Sequence, residues 1–60
     1  MKITEQMIMG EISRIKSSGY KVKKISKTAL TKLRREANKS SYYIMEEGLY
    51  AWVFNRVVEW

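Results

Sequence analysis

The sequence lacks several residue types on which functional sites depend. Its 60 residues include no cysteine, histidine, aspartate or proline. Without cysteine or histidine there are no disulfides and none of the thiolate or imidazole ligands of zinc sites. The six acidic residues are scattered glutamates, which offer no clustered carboxylates for calcium or magnesium. The sequence therefore predicts no metal and no cofactor, and stability that comes from packing or from association between chains.

The same absences argue against catalysis. Histidine, cysteine and aspartate supply many of the acids, bases and nucleophiles that enzymes position against a substrate. Glutamate, lysine, tyrosine, serine and threonine remain, in a chain with little room to build a pocket. We therefore expect no catalytic residues, no small-molecule substrate and a non-enzymatic function.

Long apolar runs are missing as well. The N-terminal stretch "MKITEQMIMG" has no apolar run of the length found in signal peptides. The longest run, "LYAWVF" at 49–54, is far shorter than the ~20 residues of a membrane span. We expect a cytoplasmic protein without membrane contact. No linker composition or internal repeat divides the chain, so residues 1–60 are predicted to form a single small basic domain.

Positive charge is concentrated in the middle of the chain. Residues 21–39 hold eight lysines and arginines against Glu36, a local charge of +7, while the whole chain carries +6. Such a cluster is typical of a phosphate-binding surface, because each neutralised phosphate releases condensed counterions. The structural alternative is a solvated helix face with no partner. No base-reading motif accompanies the cluster, so sequence specificity is not predicted. The predicted nucleic-acid-binding residues are Lys21, Lys23, Lys24, Lys27, Lys32, Arg34, Arg35 and Lys39.

Capping residues and apolar spacing predict two helices. The first begins after Thr4, a suitable N-cap, and runs to about Ser17, with Gly19 placed to take the left-handed conformation beyond its end. The second begins after Ser26 and runs to about Asn38. An isoleucine before each cap is positioned to pack on an apolar residue of the following turn. These pairs are Ile3 with Ile8 and Ile25 with Leu30.

The rest of the chain favours strands. The alternation in "YKVKKI" at 20–25 predicts a short edge strand. Aromatic and β-branched residues after residue 40 predict strands at 41–45 and 49–59, joined by a turn in which Gly48 takes a positive φ. The predicted fold is α+β, with two helices packed on one face of a three-stranded sheet, in the order helix, strand, helix, hairpin. A C-terminal helix is the alternative for this segment, because Leu49, Trp52, Val53, Arg56, Val57 and Trp60 also fit helical spacing.

The stretches "ISKTALTKL" and "SSYYIMEEGLYAW" resemble the winged-helix DNA binders of the MerR and phage-excisionase type. In that family a helix, a turn and a second helix with paired tyrosines precede a Gly-Leu pair that leads into a wing. Tyr42, Tyr43, Gly48 and Leu49 match that ending, with a tyrosine-to-glycine spacing one residue longer and no glycine at the interhelix turn. The resemblance implies a small winged helix-turn-helix as the alternative fold.

A hairpin covered by helices on one face would leave the other face of "LYAWVF" exposed. An exposed apolar strand face marks a protein interface, either a homodimer through the hairpin or contact with another protein. The predicted interface residues are Leu49, Tyr50, Trp52, Val53 and Phe54.

Two functional hypotheses follow. The leading one is non-enzymatic nucleic-acid binding by the basic strand and helix face. The alternative is a small phage- or mobile-element-type inhibitor or regulator. Such a protein would bind an acidic or nucleic-acid-handling partner protein through its basic face and aromatic hairpin.

Overall fold

A computed structural model describes residues 2–59 and gives the chain an all-helical architecture. Its helices are α1 (Glu5–Ser17), α2 (Lys27–Lys39), α3 (Ser41–Glu47) and α4 (Leu49–Val57). Residues 2–59 contain no strand, and an isolated antiparallel bridge joins Val22 to Val58. The predicted α+β fold with a three-stranded sheet is therefore wrong. The winged alternative fails too, because α4 occupies the position of the wing.

The first helix has the predicted bounds and the predicted caps. The hydroxyl of Thr4 accepts a hydrogen bond from the Met7 amide at 3.2 Å, which satisfies a free donor of the first turn. At the other end Gly19 has φ +94°, and the amides of Gly19 and Tyr20 donate back to carbonyls of the last turn at 3.0 and 3.4 Å. This double closure is the Schellman motif, which satisfies the Ile15 and Lys16 carbonyls in the last turn of the helix.

The second helix also begins where its cap predicts. The hydroxyl of Ser26 accepts from the Ala29 amide at 3.1 Å. The helix ends at Lys39, one residue beyond the prediction. Ser40 then links α2 to α3, because its amide donates to the Glu36 carbonyl at 2.9 Å and its carbonyl accepts from the Ile44 amide at 3.1 Å.

The predicted strand at 20–25 is an extended connection between α1 and α2 rather than part of a sheet. The Lys23 amide donates to the Val57 carbonyl at 2.7 Å, and the Glu59 amide donates to the Lys21 carbonyl at 2.9 Å. Within residues 2–59 this pairing stays an isolated bridge, because the chain is helical up to Val57.

The C-terminal hairpin is replaced by two helices. On α4, Trp52, Val53 and Val57 are buried, and this helix packs against α1. These three positions lie on one side of a helix, so the apolar spacing outweighs the strand preference of aromatic and β-branched residues. Trp60, the last position of the helical spacing, lies outside the described residues.

Gly48 forms the break between α3 and α4. Its φ of +94° and ψ of 150° belong to a region that is essentially restricted to glycine. Its amide donates to the Ile44 carbonyl at 2.8 Å and its carbonyl accepts from the Trp52 amide at 3.3 Å. The predicted positive φ is confirmed, in a connection between helices instead of a hairpin turn.

The hydrophobic core contains residues of all four helices, together with Ile3 and Val58. Among residues 2–59 no polar or charged residue is buried. The core residues are Ile3, Ile8, Ile12, Ile15, Ala37, Ile44, Trp52, Val53, Val57 and Val58.

The side chain of Asn38 ties the chain start to α2. Its Oδ1 accepts from the Ile3 amide at 2.9 Å, and its Nδ2 donates to the Ile3 carbonyl at 3.0 Å. The same Nδ2 lies 2.9 Å from the Arg34 carbonyl. Asn38 therefore satisfies both backbone groups of a core residue, which fixes the segment before α1 against α2.

Candidate nucleic-acid interface

The second helix separates its apolar and basic residues on opposite sides. Ala37 is fully buried, and the two leucines of α2 pack partly buried against the core. With 3.6 residues per turn, Lys32, Arg35 and Lys39 each lie within about 40° of the point opposite Ala37. All three are exposed. We call Thr28, Lys32, Arg35 and Lys39 the outer face of α2.

The three cations of the outer face form no ion pair within residues 2–59. The ion pairs in that part of the chain join Arg14 to Glu11 and Arg34 to Glu5. At 1.5 Å of rise per residue, the outer-face cations extend over about 10 Å of the helix axis. Since their side chains are long and unpaired, they are available to separate phosphate groups.

Arg34 has a different environment from the rest of the predicted cluster. Its Nε lies 3.5 Å from Glu5 Oε2, and its side chain is 33% exposed. Arg34 is thereby placed at the contact between α2 and the start of α1, away from the outer face. This contact indicates a structural role for Arg34, which does not belong to the outer face.

The cations that precede the outer face lie on other surfaces. Lys21, Lys23, Lys24 and Lys27 are all exposed. Lys23 and Lys24 line a groove beside α1. Lys27 lies in the first turn of α2, to one side of the outer face. The single basic cluster in the sequence is therefore divided in space, and it leaves a compact row of three cations on α2.

The predicted protein interface at 49–54 loses its structural basis. Trp52 and Val53 are buried, while Leu49, Tyr50 and Phe54 are partly buried against the core. The rings of Tyr50 and Phe54 contact each other at a centroid distance of 6.1 Å. Since these residues are helical, the exposed strand face on which the prediction depended does not exist, and the five side chains lie in the core or at its edge.

Among residues 2–59, the most exposed large hydrophobic side chains lie instead on α3. Tyr42, Tyr43 and Met45 are 70%, 64% and 73% exposed, whereas Ile44 is buried. The two tyrosine rings meet edge to face with centroids 5.9 Å apart. The prediction of a strand at 41–45 missed this exposed surface. A helix of one or two turns with one buried residue has too little apolar periodicity to be recognised in the sequence.

No family model matches the sequence, and neither a curated protein nor a solved structure matches it. Within residues 2–59, no helix combines the length and the apolar character needed to cross a bilayer.

Proposed function

We propose that this protein is a non-enzymatic nucleic-acid-binding protein whose outer face of α2 contacts the phosphate backbone. The observation that supports this function is the row of Lys32, Arg35 and Lys39. These side chains are exposed, lie opposite the buried side of α2 and form no ion pair within residues 2–59. Lysine contacts phosphate as a point charge, and the guanidinium of Arg35 adds the option of two parallel hydrogen bonds.

Phosphate contact of this kind has a defined dependence on salt. Each neutralised phosphate of a duplex contributes about −0.9 to the slope of log affinity against log salt concentration. Three contacts therefore give a slope of about −2.7, or a loss of about 40-fold between 50 and 200 mM salt. Backbone contacts carry no sequence information, so the proposal concerns affinity and not base readout.

Charge removal at two matched sets of positions tests the proposal. One variant carries Lys32→Gln, Arg35→Gln and Lys39→Gln, and the control carries Lys2→Gln, Lys16→Gln and Lys21→Gln. Each variant loses three of the twelve cations and keeps a net charge of +3. Glutamine has nearly the helix propensity of lysine and arginine, so α2 is preserved. Fluorescence anisotropy with labelled single- and double-stranded oligonucleotides measures affinity.

The outer-face variant is expected to lose at least tenfold in affinity at low salt, and the control less than about threefold. Equal losses would show that net charge acts without a defined surface. A larger loss in the control would place the interface away from α2. Absence of wild-type binding at low salt would refute nucleic-acid binding and direct the search to an acidic protein partner.

A further inference from the structure

A surface groove of about 500 Å³ lies between α1 and the extended segment that precedes α2. Met9, Ile12 and Val22 supply apolar surface there, and Met9 is 54% exposed. Three exposed lysines line the same groove, namely Lys16, Lys23 and Lys24. We call this surface the lysine groove. Its occupant must combine apolar side chains with negative charge.

The chain itself carries a surface with those properties. The exposed side of α3 presents Tyr42, Tyr43 and Met45 together with the exposed carboxylates of Glu46 and Glu47. None of these residues lines the lysine groove, so the two surfaces occupy different parts of the molecule. Within residues 2–59, neither the two glutamates nor the three groove lysines form an ion pair.

We propose that α3 of one copy binds in the lysine groove of a second copy. Tyrosine and methionine side chains would cover the apolar floor, and Glu46 and Glu47 would lie beside the groove lysines. Because the two surfaces differ, the contact is heterologous and repeats head to tail from copy to copy. Because α3 has only seven residues, the contact is small, and the association is expected to be weak and to depend strongly on concentration and salt.

Charge exchange between variants tests the pairing. The groove variant carries Lys23→Glu and Lys24→Glu, and the α3 variant carries Glu46→Lys and Glu47→Lys. Sedimentation equilibrium at low salt, without nucleic acid and at up to about 1 mM protein, measures the average mass, since weak contacts become populated in that range. The wild type is expected to gain mass with concentration, and each variant alone to remain a monomer. An equimolar mixture of the two variants is expected to regain the association, because each groove then meets an α3 of opposite charge.

The mixture separates this pairing from less specific explanations. The groove variant has a net charge of +2 and the α3 variant +10, so net charge makes the two proteins repel each other. A control with Lys32→Glu and Arg35→Glu also has a net charge of +2 and is expected to associate like the wild type. Circular dichroism verifies that every variant is folded.

Three results would overturn the proposal. They are a wild type that stays monomeric at 1 mM, variants that associate undiminished when alone, and a mixture of folded variants that fails to recover. The control variant with Lys32→Glu and Arg35→Glu separates self-association from the proposed nucleic-acid binding. It is expected to lose oligonucleotide binding and keep self-association, so each proposal can fail without the other.

Discussion

Replacing Gly48 by alanine is expected to destabilise the protein through its backbone conformation alone. A Cβ built at this position meets no atom within 4 Å other than those of its chain neighbours, so contact with the rest of the fold contributes nothing. The φ of +94° and ψ of 150° cost a residue with a side chain about 1–3 kcal/mol. Alanine recovers about 0.4–1 kcal/mol by restricting the unfolded chain. The net expected loss is about 1–2 kcal/mol in the free energy of unfolding.

Relaxation of the strain is limited by the hydrogen bonds of Gly48. Its amide donates to the Ile44 carbonyl of α3 at 2.8 Å, and its carbonyl accepts from the Trp52 amide of α4 at 3.3 Å. A change of φ that relieves an alanine there would disturb one of these bonds. Trp52 belongs to the buried core, so the disturbance would extend to the packing of α4 on α1.

Gly10 provides the matched control, because the same substitution is expected to have the opposite sign. Gly10 lies within α1 and is exposed, and a Cβ built there meets no atom within 4 Å apart from its chain neighbours and the backbone of its own helix. Alanine there is expected to stabilise the protein by about 0.5–1 kcal/mol, since it is the better helix former.

Thermal unfolding followed by circular dichroism at 222 nm measures both changes. For a domain of this size, 1 kcal/mol corresponds to about 4–8 °C in Tm. Gly48→Ala should lower Tm by about 4–16 °C and Gly10→Ala should raise it by about 2–8 °C. A Gly48→Ala variant as stable as the wild type would refute the assigned break between α3 and α4. Destabilisation by Gly10→Ala would refute the continuous first helix.

Two further predictions concern hydrogen bonds that define the fold, both measured by urea unfolding. Asn38→Ala is expected to lower the free energy of unfolding by about 1–3 kcal/mol, because it leaves the Ile3 amide and carbonyl without their partner. In the control, Asn55→Ala removes an exposed hydrogen bond and should cost less than about 0.5 kcal/mol. Equal effects would contradict the tie between the chain start and α2. Ser26→Ala is expected to cost about 1 kcal/mol by uncapping α2, and an unchanged midpoint would contradict the cap.

The first two helices could be predicted because their signals are local. Thr4 and Ser26 precede apolar residues at helical spacing, and each makes the capping hydrogen bond that its side chain allows. Gly19 ends α1 with the positive φ expected of a glycine beyond a helix. Such features depend on a few neighbouring residues and therefore do not depend on the fold of the rest of the chain.

The C-terminal helices could not be predicted with the same rules. Aromatic and β-branched residues fit strands and helices alike once they are buried, so composition alone does not decide between them. Trp52, Val53 and Val57 are buried because α4 packs on α1, and these two helices are far apart in the sequence. Only the helical spacing of these residues indicated a helix, and the same residues were also compatible with a strand.

The cations of the candidate interface could be predicted from the sequence, but their arrangement in space could not. The sequence located the cations in the middle of the chain, within residues 21–39. It did not reveal that Arg34 pairs with Glu5, nor that Lys23 and Lys24 face a groove beside α1. Both facts depend on how α1 packs against the segment around α2.

The salt dependence of oligonucleotide binding tests the central claim most directly. Affinities of the wild type and of the variant with Lys32→Gln, Arg35→Gln and Lys39→Gln are measured by anisotropy on one duplex across several salt concentrations. If the outer face of α2 holds three phosphates, the slope of log affinity against log salt should differ by about 2.7 between the two proteins. The same slope in both would show that the outer face of α2 does not contact the phosphate backbone.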